Sequence, residues 1–243
     1  MCFDLDSAPP IPVIAGAAVS HDDLVLTAAD GAHLAAFLAV PDGAVSSGIV
    51  VLPDVRGLYR FYEELALRFA ERGHAALAID YFGRTAGVAK RGEDFDYMPH
   101  VEQTTDAGVE ADIGAAVARL RELGATSIVT VGFCFGGSRS WQAAAAGHGL
   151  AGAVGFYGRP GPATALAPEL ACPILALQAG ADAHISAEDN DAFDRALDEA
   201  GVDHEVVTYD GAPHSFFDRK QQEFAAASDD AWRRVLAFVE RVA

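Results

Sequence analysis

Residues 48–53 (GIVVLP) form a continuous apolar run, the pattern of a strand buried on both faces. Two alternating runs precede it, 24–28 and 34–40, parted by Asp30-Gly31, which predicts an antiparallel hairpin. Beyond residue 60, helix-period segments and short apolar runs take turns. Helical spacing covers 62–72, 105–123, 136–147, 189–200 and 225–242, with Gly73, Gly124 and Gly201 as stops. Strand-like runs cover 75–79, 128–132, 151–156, 174–178 and 205–209. Such alternation predicts an α/β chain: a mostly parallel sheet with helices on both faces, preceded by the antiparallel hairpin. No composition shift marks a linker, so 1–243 is expected to be one domain. Residues 1–20, with Pro9, Pro10 and Pro12, are expected to be an arm on the surface. Between 82 and 105 the periodicity fails. Gly83, Gly87 and Gly92 punctuate a charged stretch that reads either as a lid or binding loop or as solvated surface.

Composition narrows the possibilities. The 243 residues are 51% hydrophobic and 21% charged, enough to build a packed core without disulfides or metal. Seventeen basic against 35 acidic residues give a net charge of −18, which argues against nucleic acid and anionic membrane surfaces as partners. No apolar stretch reaches the roughly 18 residues of a membrane span, and the proline-broken N-terminal run lacks the features of a signal peptide. Cys2, Cys134 and Cys172 cannot all pair, which fits a reducing cytoplasm. Neither H-E-x-x-H nor C-x-x-C occurs, so no metal is expected, and no dinucleotide or phosphate-loop motif calls for a cofactor.

The segment SIVTVGFCFGGS (127–138) carries the chemistry. A strand runs through Gly132-Phe133-Cys134-Phe135-Gly136 into an alanine-rich helix, which is the G-x-S-x-G nucleophile elbow with cysteine at its centre. The sharp turn projects the central side chain above the sheet, and glycine fits where a Cβ would clash. The helix aims its positive end at Cys134, and the Phe135 N–H can donate to an oxyanion. The plainer alternative is a buried cysteine in a glycine-rich turn. Two later segments weigh against it. Asp182 follows the strand at 174–178, and His214 follows the strand at 205–209. This is the chain order nucleophile, acid, histidine expected of elbow hydrolases. His184 lies in the acid loop, so His214 is the expected base. Cys2 and Cys172 read as structural.

The segments GFCFGG, AGADAHISAED and GAPHSF, with LPDVRG, AIDYFGR and GFYG, resemble the dienelactone hydrolase family of α/β-hydrolases from about residue 24 to the C-terminus. The resemblance implies hydrolysis of esters and lactones without cofactor, with Cys134 as nucleophile, His214 as base and Asp182 orienting the imidazole. It places Asp54 where the family has a glutamate that helps deprotonate the thiol; a salt bridge to Arg56 is the alternative. It makes the Val55 N–H the second oxyanion donor.

The family's dienelactone-active members grip the substrate carboxylate with two arginines. One of those places is Asp218 here, with Arg219 next to it. The other is Glu93, four residues before Tyr97, and the nearest arginines are Arg84 and Arg91. Arg84, Tyr97, Arg219 and Phe216 are therefore the candidate substrate contacts, and Phe133, Phe135, Phe216 and Phe217 suggest an apolar entrance. The expected substrate is a small neutral ester or lactone. A thioesterase, a dienelactone hydrolase proper and a non-catalytic small-molecule binder on the same fold remain the alternatives.

Overall fold

The computed structural model describes residues 3–4, 6–92 and 94–243. Cys2 and Glu93 lie outside the described residues. The chain divides into two compact units, one of residues 12–128 and one of residues 1–11 with 129–243.

In the first unit, β1 (Val19–Thr27) and β2 (His33–Pro41) form the antiparallel hairpin. Then come β3 (Ser47–Leu52), α1 (Arg60–Ala70), β4 (Ala75–Ile79), two short helices α2 (Gly83–Ala86) and α3 (Met98–Val101), and α4 (Asp106–Glu122). The strand order is β1-β2-β4-β3, with β3 and β4 parallel. All six residues of β3 and all five of β4 are buried, as their unbroken apolar runs require. Strand β1 begins five residues before the apolar alternation does, because Ser20-His21-Asp22-Asp23 continue the ladder opposite Val40 to Phe37 of β2 without any apolar alternation to announce it. Helix α1 buries Phe61, Tyr62, Leu65, Ala66, Phe69 and Ala70, one stripe at helical spacing. Helix α4 presses Leu120 onto Gly48 of β3, where an added Cβ would meet Leu120 Cδ1 at 3.0 Å.

In the second unit, β5 (Ser127–Phe133), β6 (Gly152–Phe156), β7 (Ile174–Ala179) and β8 (His204–Tyr209) run parallel in that order. The connecting helices are α5 (Phe135–Ala143), α6 (Gly161–Ala165) and α7 (Ala187–Ala200), and α8 (Ala225–Val242) closes the chain. Strand β6 is thin on both sides. A Cβ on Gly155 would meet the Trp141 ring of α5 at 2.4 Å, and one on Gly152 would meet the Phe238 ring of α8 at 2.5 Å. Residues three apart on a strand point to opposite faces, so α5 and α8 cover opposite sides of β6. Helix α7 is fixed at both ends, by the Ser186/Asp189 capping box and by Gly201 in the left-handed region at φ 69°.

The N-terminal arm departs from expectation. Phe3, Ser7, Ala8 and Ile11 are 2–5% exposed. These four residues thus pack into the second unit rather than lying on its surface, and apolar burial outweighs the prolines that suggested a solvated tail. Among the described residues, no helix is long and apolar enough to cross a membrane.

Candidate active site

Cys134 sits between β5 and α5 with φ 54° and ψ −113°, a positive-φ conformation that costs a non-glycine residue roughly 1–3 kcal/mol. Backbone bonds on both sides hold it there. Its N–H donates to Phe156 O at 2.9 Å, and its carbonyl accepts from Ser138 N–H at 3.2 Å. The glycines around it are dictated by backbone meeting backbone. A Cβ on Gly132 would lie 1.9 Å from Gly136 O, and one on Gly137 would lie 2.7 Å from Phe156 O. The side chain of Cys134 is left half-buried at the N-terminal end of α5.

The acid and the histidine come from the loops that leave β7 and β8. Those loops are stitched together: Gly180 N–H donates to Tyr209 O and Ala181 N–H to Ala212 O, both at 2.9 Å. This brings His214 Nδ1 to 2.6 Å from Asp182 Oδ2. The carboxylate side chain is 1% exposed, and its second oxygen accepts the His184 N–H at 2.8 Å. Burial works to raise the Asp182 pKa, but the hydrogen bonds from His214 and His184 N–H outweigh it and hold the group below the usual carboxylate value. Asp182 therefore stays ionised and fixes the proton of His214 on Nδ1, leaving Nε2 as the acceptor.

Two aromatic neighbours flank the imidazole. Tyr157 lies 4.9 Å away between ring centroids, and His184 meets it edge to face at 5.6 Å. Tyr157 (φ 36°) and Ser215 (φ 66°) share a positive φ with Cys134. These three are the non-glycine residues with positive φ among those described, and all belong to this neighbourhood. Tyr157 directly follows Phe156, the residue that accepts the Cys134 N–H, so one turn of chain touches both the elbow and the histidine. Its place in GFYG was its sole signal in the sequence.

Phe216 does not line an entrance. Phe133, Phe216 and Phe217 are at most 1% exposed and stack with Phe156 and Tyr157 as core. A Phe-Phe pair after the histidine reads equally as packing, and packing is what it does. Phe135 is half-buried, with the Arg139 guanidinium 4.8 Å above its ring. Asp218 is 4% exposed and turned toward Ser7, whose Oγ donates to it at 2.7 Å, while Arg219 is exposed. Cys172 is buried, and burial pushes its thiol pKa up to about 11.

The remaining candidates belong to the first unit. Asp54 is fully buried in a two-pronged ion pair with Arg56, at 2.7 Å from Nη2 to Oδ2 and 3.1 Å from Nε to Oδ1, with the Arg56 N–H at 2.8 Å. This is the salt bridge that the sequence left open as the alternative to a thiol-activating role. Burial disfavours the Arg56 cation, yet Asp54 more than offsets it and raises the guanidinium pKa. Val55 lies in the turn after Asp54. Arg84 bridges Asp30 and Asp112, at 2.8 and 2.7 Å, and Arg91 pairs with buried Asp80 at 2.7 Å. Both arginines are paired with carboxylates of the fold. Tyr97 stands half-buried before α3.

The dienelactone hydrolase family model matches residues 34–243. The chain is 31% identical over 255 aligned positions to the carboxymethylenebutenolidase of Rhodococcus opacus, covering 99% of this chain and 97% of that one. Among solved structures it is similar to a dienelactone hydrolase-like promiscuous phosphotriesterase from metagenomic libraries (TM-score 0.78, 23% identity, 93% of this chain and 99% of that one). It is also similar to an esterase of Pyrococcus furiosus (TM-score 0.69, 16% identity, 97% of each). The two structures share the fold, and the family match with the Rhodococcus relative carries the assignment further: this chain has the α/β-hydrolase fold, belongs to the dienelactone hydrolase family and is a hydrolase of ester bonds.

Proposed function

We propose that the protein hydrolyses small neutral carboxylic esters or lactones through a Cys134–His214–Asp182 triad. The observation that carries the reading is the 2.6 Å bond from His214 to buried, ionised Asp182, in the unit that also holds Cys134 in its strained turn. His214 Nε2 takes the thiol proton as Cys134 Sγ bonds to the acyl carbon, and the carbonyl π electrons move to oxygen. The Phe135 N–H at the start of α5 supports that oxyanion. Collapse expels the alkoxide, which takes the proton from His214. Water, deprotonated by the same nitrogen, then attacks the thioester carbonyl, and collapse expels Cys134 Sγ, which takes that proton back from His214.

Asp54 is not assigned a proton-transfer step. Both of its oxygens are engaged by Arg56, which gives it a structural partner instead.

The preference for a neutral substrate rests on the committed arginines. Arg84 and Arg91 are neutralised by Asp30, Asp112 and Asp80, and Asp218 stands in place of a carboxylate-binding cation. Two aligned arginines hold a carboxylate with charge-assisted bonds worth about 1.5–3 kcal/mol each, so their loss lowers affinity for an anion by orders of magnitude. The Rhodococcus relative's name favours a second reading, a lactonase acting on dienelactone itself. Comparing kcat/KM for dienelactone and for a neutral aryl ester of similar size separates the two. A tenfold advantage for dienelactone would overturn the neutral preference. Cys134→Ala protein retaining a tenth of wild-type turnover on the preferred ester would overturn the triad.

A further inference from the structure

The segment that follows His214 is held from an unexpected side. Ser7 Oγ donates to Asp218 Oδ2 at 2.7 Å, and the Lys220 N–H donates to Oδ1 at 2.9 Å. Arg219 N–H donates to Ala8 O at 3.1 Å, and Lys220 Nζ pairs with Asp6. Three consecutive residues beyond the histidine are thus fastened to three consecutive residues of the N-terminal arm. Ser7 and Asp218 are 3% and 4% exposed, so the clamp is buried at its centre, while the Lys220–Asp6 pair at its end is exposed. A carboxylate buried so deeply is costly unless its oxygens are satisfied, and here Ser7 supplies a donor that the loop cannot provide.

The clamp lies where backbone strain needs support. Ser215 adopts φ 66°, and its buried Oγ has no hydrogen-bond partner, so the side chain does nothing to hold that conformation. Helix α8 and its approach secure the near side, with Ser228 Oγ on Phe216 O at 3.0 Å and Gln221 Nε2 on Ser215 O at 2.8 Å. The arm secures the far side.

We propose that the N-terminal arm is a positioning element of the hydrolase site, with Ser7 and Asp218 as positioning residues that keep His214 aligned on Asp182. The proposal rests on the reading of His214 as the base. It assigns catalytic consequence to a segment outside the 34–243 family match.

The test uses full-length Ser7→Ala, Asp218→Asn and the double variant, with kcat and KM measured on a neutral aryl ester. A 1 Å misplacement at an active site costs on the order of 100-fold. The smaller shift expected here lowers kcat about tenfold in each single variant, with KM within about twofold of wild type, and the double variant is no worse than the poorer single one. The proton between His214 Nδ1 and Asp182 is followed in parallel by NMR as a far-downfield imidazole resonance. It should broaden or vanish in the variants while their melting remains cooperative. A folded variant with kcat within twofold of wild type and an unchanged resonance would show that the arm only stabilises the fold, as would effects that multiply in the double variant. Asp218→Asn keeps the side-chain shape, which covers the case in which Ser7→Ala fails to fold. Reading the resonance in a Cys134→Ala background as well judges the clamp even if the triad assignment itself fails.

Discussion

Replacing Gly132 by alanine tests the elbow most directly. The new Cβ would be placed 1.9 Å from Gly136 O, whereas real Cβ contacts essentially never fall below 3.0 Å. Strand end and helix start must therefore separate by more than about 1 Å, and neither side can yield by rotating a side chain, because both atoms involved are fixed to backbone. Overpacking of this kind costs roughly 1–3 kcal/mol, which in a chain of this length lowers Tm by about 2–12 °C. The effect on catalysis should be larger than the effect on stability, because the same displacement moves Sγ and the Phe135 N–H relative to the bound carbonyl. A loss in kcat/KM of about 100-fold or more follows. Gly161→Ala is the control, since a Cβ there meets nothing within 4 Å. The assay is aryl-ester hydrolysis per titrated thiol, beside thermal melts of both variants. A folded Gly132→Ala protein that keeps more than a tenth of wild-type kcat/KM would refute the steric argument.

Three further outcomes follow. Asp182→Asn should reduce kcat by up to about 10⁴-fold, with KM little changed, since the amide favours the wrong imidazole tautomer; steady-state kinetics would show otherwise if the loss were below tenfold. Limited iodoacetamide treatment followed by peptide mapping should label Cys134 well before Cys172, which is buried and has its pKa raised to about 11; equal labelling would contradict the burial assigned to Cys172. Asp112 is raised to about 6, first by burial, against the pull of Arg84. Because its folded pKa exceeds the unfolded 3.8, the folded state binds the extra proton, and stability from this group is gained as pH falls from above 6 toward 4 and lost as pH rises again. Wild type should therefore gain Tm relative to Asp112→Asn on going from pH 7.5 to pH 5, and a gap that stays constant would remove Asp112 as the titrating group.

Much of the site was legible because local rules govern it. The elbow is a short-range steric problem, and Gly132, Cys134 and Gly136 declare it by spacing alone. Asp182 and His214 were legible from their place after successive strands, since a parallel sheet delivers such loops to one edge. What was not legible depends on long-range choice of partner. Nothing near Arg84 in sequence reveals Asp30 and Asp112 as its carboxylates, and Arg91 gives no sign that it will turn to Asp80. Ser7 and Asp218 are 211 positions apart, beyond any periodicity argument. Phe216 and Phe217 failed differently: an aromatic pair beside a candidate catalytic histidine fits a pocket wall and a core equally well, and burial alone decides. The short helices α2, α3 and α6 escaped because four or five residues cannot display a helical period.

The strained backbone at Cys134 has a consequence for anyone improving this enzyme. Glycine would adopt φ 54° without penalty, so the fold would be more comfortable with the proposed nucleophile erased. Selection for heat resistance alone would then reward a dead protein at this position, and Tyr157 and Ser215 offer the same temptation on the histidine side. A thermostability campaign on this scaffold should hold these three positions constant and seek its gains at sites such as Gly161, where the backbone is relaxed and the space is open.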